Sequence, residues 1–148
     1  MPLRTLLGEG PPEILEQQFS VLNPSQIFLL GTRDLDAAEG QFIRQKSLSL
    51  CSSKQINQRN NKSVISAIKE QGFSKLYIHL DLDVLDSKEF SWVACPTPKG
   101  AELSGVCQLL KDLDSEFEIV GFSLLELLVN EMTPQIFTTL KHILSNIF

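Results

Sequence analysis

Apolar and polar positions along this chain switch between two periods, one suited to strands and one to helices. Residues 26–31, Gln-Ile-Phe-Leu-Leu-Gly, are a short apolar run ended by glycine and predict a buried strand. Before it, Leu3–Leu7 read as the last turns of a helix stopped at Gly8, Pro11 and Pro12 open a short helix through Phe19, and Asn23-Pro24 marks a turn. Asp34 is placed to cap a helix over Leu-Asp-Ala-Ala-Glu-Gly-Gln-Phe-Ile-Arg-Gln-Lys. A weaker strand over 47–51 follows, and Ser52-Ser53 begins a polar stretch. Val64, Ile65 and Ile68 fall at helical spacing within 61–71, with Gly72 as the stop. Lys75 to Asp83 is the clearest strand. Residues 84–100 form a long loop with Pro96 and Pro98, and long loops in compact domains are often functional. Leu103, Val106, Leu109 and Leu110 mark one face of a helix over 102–113. A fourth strand is expected over 117–125, and Thr133 and Pro134 cap and open a last helix.

Strands thus alternate with helices, which predicts the α/β class: a parallel sheet flanked by helices on both faces. Neither an internal repeat nor a linker divides the chain, so residues 1–148 are expected to form a single domain. In such sheets ligands gather at the carboxyl ends of the strands, which directs attention to whatever chemistry stands there.

Composition narrows the field. Thirteen basic and eighteen acidic residues give a net charge of −5, with the basic ones scattered singly or in pairs. Without a Lys/Arg stripe to neutralise phosphates, nucleic acid is not an expected partner. No run of about 18 apolar residues occurs, so no membrane partner is expected either. The three cysteines, Cys51, Cys95 and Cys107, are odd in number and lack a CxxC pair. They suit a reducing compartment rather than a disulfide framework, and a cytoplasmic location is expected.

The third strand ends in His79-Leu80-Asp81-Leu82-Asp83-Val84-Leu85-Asp86. Side chains alternate along a strand, so Asp81 and Asp83 are expected to point the same way at the ligand edge of the sheet. Two carboxylates so placed repel each other unless a cation sits between them. Magnesium, calcium or manganese would suit oxygen donors of this kind. The spacing alone leaves the alternative open that these are two partly solvated aspartates at a strand end. His79 shares their face but lies roughly 7 Å deeper along the strand, and reads as a hydrogen-bonded core residue. Trp92 reads as a packing anchor, Cys95 as an ordinary loop cysteine and His142 as a solvated surface residue.

The segment His79–Asp86 resembles the signature of the arginase and agmatinase family of ureohydrolases. Three more segments agree with that family in order and spacing. Gly31-Thr32-Arg33-Asp34-Leu35-Asp36 with Glu39 resembles its G-x-R-x-L-D-x-x-E segment. Thr97-Pro98 with Leu103-Ser104 resembles its T-P loop and helix start, and Gly121–Glu126 resembles its G-x-D-L-V-E strand. The resemblance implies the C-terminal half of a three-layer α/β/α fold. It also implies that Asp81 and Asp83 bind a pair of manganese ions and that Glu126 lies by the guanidinium of a small substrate. His79 and Asp86 would then be supporting or structural residues.

The implied activity is metal-dependent hydrolysis of a linear amidine such as arginine or agmatine. The family's G-G-D-H and D-A-H-x-D segments, which bring further metal donors, do not occur among these 148 residues. Locally, Ser87 replaces a usual proline, Ala101-Glu102 a glycine pair, and Leu128 a common asparagine. Two octahedral ions need more donors than two carboxylates, so the resemblance implies weakened manganese binding and an impaired or inactive lone chain. On that expectation the chain is a truncated product or half of an enzyme completed by a complementing second chain; the rival expectation is a non-catalytic interaction or assembly module that forms a homo-oligomer, since open sheet edges recruit partners. A DxD phosphatase is disfavoured because two strands precede the motif and the Glu126 strand would go unexplained.

Overall fold

The computed structural model describes residues 2–128 and 132–147. The strands are β1 (Phe28–Leu30), β2 (Ser49–Cys51), β3 (Lys75–Asp81) and β4 (Glu118–Leu125). The helices are α1 (Pro2–Leu6), α2 (Pro12–Leu15), α3 (Ala37–Lys46), α4 (Ser53–Asn57), α5 (Lys62–Glu70), α6 (Leu103–Glu116) and α7 (Pro134–Leu144). Strands and helices alternate as expected, and β3 and β4 run parallel. Among the described residues the strands hydrogen-bond as two pairs, β1 with β2 and β3 with β4, and not as one four-stranded sheet.

The chain forms two compact units, one of residues 1–29 and 35–49, the other of 30–34 and 50–148. In the first, Leu7, Ile27, Phe42, Ile43 and Leu48 form a small apolar core. Helix α3 is capped by Asp36 and not by Asp34: the Asp36 carboxylate accepts from the Glu39 N–H at 2.7 Å while Glu39 reaches back to the Asp36 N–H at 3.1 Å. This reciprocal box satisfies two otherwise orphaned donors, which Asp34, in the left-handed region at φ 56°, does not do. Helix α2 is shorter than the pattern predicted, ending at Leu15.

The second unit holds the candidate chemistry. Its core is the apolar face of α6, where Val106, Leu109, Leu110 and Leu113 are buried, packed against α4 and α7. The polar stretch from Ser52 differs from its sequence pattern by forming helix α4, with Ser52 and Gln55 making another capping box around its start. From α7, Ile136 and Ile143 are fully buried, and Thr133 caps its N-terminus through the Ile136 N–H. Burying such side chains contributes about 1.5–3 kcal/mol each.

Strand β3 corrects one expectation that bears on function. It stops at Asp81, and Leu82–Val84 turn into a single 3-10 turn closed by the Leu85 N–H on the Leu82 carbonyl. Leu82 is fully buried, and Leu85 then bridges to Ala101. Core packing of Leu82 and Leu85 bends the chain two residues before the apolar pattern ends. Asp81 and Asp83 therefore do not share one extended strand.

Candidate functional site

The rim of the β3–β4 pair is assembled by register. Asp81, last in β3, lies opposite Leu125, last in β4, and Glu126 follows at once in the left-handed conformation at φ 65°. Asp83 sits on the 3-10 turn two residues beyond Asp81. So Asp81, Asp83 and Glu126 all occupy the carboxyl ends of adjacent parallel strands, where α/β proteins hold ligands.

The electrostatics there are unfavourable to a bare carboxylate pair. The Asp83 carboxyl is half-buried, and its pKa is raised first by that burial and then by the charge of Asp81, with Arg33 partly opposing both. A divalent cation would relieve the desolvation and the repulsion together. Among the described residues no group of three His, Cys, Asp or Glu comes together as a metal cluster. The donor chemistry fits a hard cation, but as a part of a coordination shell.

His79 differs from the expected core residue. It is exposed, with Nε2 3.3 Å from an Asp81 carboxylate oxygen and Nδ1 2.8 Å from the Ser123 hydroxyl. The face of β3 that carries His79 and the 64% exposed Tyr77 is open among the described residues, which is why the histidine meets solvent. Its contacts nonetheless orient the Asp81 carboxylate. Asp86 caps the turn that follows: one carboxylate oxygen accepts from the Lys88 N–H at 2.9 Å and the other from the Gly100 N–H at 3.0 Å. Those bonds, the Lys88 one foremost, hold its pKa below the usual carboxylate range.

The long loop is fastened at several points. Phe90 is buried and meets Trp92 edge to face at 5.4 Å. Val93 bridges to Leu127, and the Leu128 N–H donates to the Trp92 carbonyl at 3.0 Å, which ties the loop to the exit of β4. Cys95 is exposed, while Cys51 and Cys107 are buried and carry raised thiol pKa values from that burial.

Arg33, a motif position in the sequence, is a structural partner of this site. Its guanidinium donates to the carbonyls of Asp83 at 2.7 Å and Thr97 at 2.8 Å, with longer bonds to Val84, Leu85 and Pro98. The sequence could flag the arginine but not its acceptors, which are all backbone.

Comparison with known proteins decides the family: its sequence profile, Arginase family, matches residues 2–135. The chain belongs to the arginase family. An arginase from Staphylococcus aureus (strain COL) is 39% identical over 93 residues, 60% of this chain and 31% of that protein. The crystal structure of Entamoeba histolytica arginase in complex with L-ornithine superposes with a TM-score of 0.88 at 19% identity, covering 99% of this chain and 51% of that one. Formimidoylglutamase from Bacillus subtilis superposes with a TM-score of 0.79 at 16% identity, over 99% of this chain and 44% of that one. These likenesses establish the arginase-type α/β fold. The chain spans about half the length of the solved structures and about a third of that curated arginase. No helix among the described residues is long and apolar enough to cross a membrane.

Proposed function

We propose that this arginase-family chain carries one side of a manganese centre for hydrolysis of a guanidinium C–N bond, as in arginine or agmatine, and that it catalyses poorly on its own. One observation carries the reading: Asp81 ends β3, Asp83 lies on the turn that follows it and Glu126 follows the end of the neighbouring parallel β4, with the Asp83 pKa raised first by burial and then by the charge of Asp81. Asp81 and Asp83 would hold the metal. When bound, divalent ions supply a water of lowered pKa and polarise the bond under attack. Glu126 offers its carboxylate to the cationic guanidinium. His79, bonded to Asp81 and to Ser123, fixes one carboxylate, and Asp86 keeps the loop in register with the start of α6. Two carboxylates are too few donors for a pair of six-coordinate ions, so the lone chain should bind manganese weakly. Its free cysteines fit a reducing, cytoplasmic setting.

Calorimetric titration of manganese into the chain and into Asp81→Asn tests the metal reading. Heat that saturates in the native chain and is lost in the variant supports it; equal heats from both would sink it. Urea release from arginine and agmatine tests the impairment, since fast turnover by the lone chain contradicts it.

A second reading is favoured by the open face of β3. There Tyr77 is 64% exposed and His79 beside it on the same face is exposed as well. On this reading the chain is a non-catalytic assembly module that forms a homo-oligomer. Concentration-dependent association that ignores manganese would favour it over the first.

A further inference from the structure

Arg33 gathers more polar contacts than any other side chain at the rim, and all of them are to backbone. Nη2 donates to the carbonyls of Asp83 (2.7 Å), Thr97 (2.8 Å) and Leu85 (3.2 Å), Nη1 to Val84 (3.2 Å), and Nε to Pro98 (3.3 Å). Three of these acceptors belong to the turn that carries Asp83, and two to the Thr97-Pro98 segment of the long loop. One planar cation thus joins two irregular segments that lie 50 to 65 residues away from it.

The approach to Arg33 is built to match. Gly31, two residues before it, has φ 78°, and a Cβ there would lie 2.5 Å from a Val84 methyl. Its carbonyl is held by the buried Ser53 hydroxyl at 3.1 Å, and its N–H by the Cys51 carbonyl at 2.7 Å. The backbone leading to the arginine is therefore seated against the same turn that the guanidinium grips. Guanidinium is suited to this task because its donors form a rigid fork, whereas an ammonium is a single point with three donors.

We propose that Arg33 is a positioning residue of the candidate metal centre: by bridging the Asp83–Leu85 turn and the Thr97-Pro98 segment, it fixes where the Asp83 carboxylate stands relative to Asp81. The proposal rests on the reading of Asp81 and Asp83 as metal donors. Partners that orient a donor commonly govern affinity about as strongly as tenfold or more, without touching the ion.

The test compares the native chain with Arg33→Lys, which keeps the charge and loses the fork. Backbone ¹⁵N relaxation without metal reads the clasp, and paramagnetic broadening by added manganese reads the positioning. In the lysine variant residues 83–85 and 97 should gain mobility while α6 does not. About tenfold more manganese should then be needed to broaden the signals of residues 81–85. A variant whose turn stays rigid overturns the clasp. A variant that loosens but broadens as the native chain does reduces Arg33 to a structural role and overturns the positioning. A native chain that shows no broadening sinks the metal reading and the positioning with it, while the relaxation data still report the clasp. Should the variant fail to fold, the native Arg33 guanidinium gives a second measurement. Slow, resolved Nη resonances are expected from the five-carbonyl cage, and a freely rotating, averaged signal overturns it.

Discussion

Gly100→Ala is the substitution whose effect the geometry fixes most tightly. A Cβ at residue 100 would stand 2.4 Å from the Asp86 nitrogen, 2.4 Å from the Leu85 carbonyl carbon and 2.6 Å from its oxygen. All three are backbone, so no side chain can swing aside, and the segments must separate by about 1 Å to reach ordinary contact near 3.5 Å. Across this seam run the bonds from the Ala101 N–H to Val84 (2.8 Å), from the Asp86 N–H to Ala101 (2.9 Å) and from the Gly100 N–H to the Asp86 carboxylate (3.0 Å). Overpacking costs about 1–3 kcal/mol, and losing one or two of the bonds adds about 1 kcal/mol each, for a total of about 3 kcal/mol. At roughly 2–4 °C per kcal/mol for a chain of this size, melting should fall by about 10 °C. Gly72→Ala is the internal standard: it too disturbs a glycine, at φ 78°, but nothing lies within 4 Å of its Cβ. It should cost only about 1 kcal/mol, the penalty of the left-handed conformation. Calorimetric or urea unfolding of the two variants side by side decides the matter. Equal destabilisation by both, or a milder effect at residue 100, would refute the packing of the loop against the turn.

Three other outcomes are expected. Asp83 has a raised folded pKa, so its carboxylate opposes folding once pH passes that pKa and is harmless below the unfolded value of about 3.9. Asp83→Asn should therefore raise the metal-free melting temperature at pH 7 and leave it unchanged near pH 3, while abolishing any stabilisation by manganese. Leu82→Ala should cost about 2–5 kcal/mol in urea unfolding, since the side chain is wholly buried, and should also disturb the ¹³C shifts of both flanking carboxyls. In a thiol-reagent assay Cys95 should react at once, with Cys51 and Cys107 reacting only on unfolding, because the first is exposed and the others are buried.

The elements with a strong period or a strong cap were plain from the residues. Helix α6 carries a continuous apolar face, and Thr133-Pro134 announces the start of α7. Glu126 follows an apolar run and comes directly after β4 as expected, whereas β3 was expected to run to Asp83 and ends at Asp81. Where the reading failed, tertiary contacts had the deciding vote. The apolar alternation of Leu80, Leu82 and Val84 looks like more strand, but Leu82 is drawn into the core and the backbone turns. His79 looks like a core residue only if another layer covers its face. Helix α4 was legible in principle, because Ser52-x-x-Gln55 is a capping box, and so was the Asp36-x-x-Glu39 start of α3. The grip of Arg33 was not, since carbonyl acceptors leave no trace in residue identity.

Leu82, wedged between Asp81 and Asp83, has an evolutionary corollary. If Asp81 and Asp83 hold metal as proposed, selection for a sound interior and selection for chemistry fall on neighbouring letters of one tripeptide, yet they can part company. A lineage that abandons catalysis remains bound to its leucine, because folding demands it, and is released only from the acids on either side. In descendants of this chain, drift confined to residues 81 and 83 would therefore record lost chemistry, whereas change at 82 would record the decay of the protein itself.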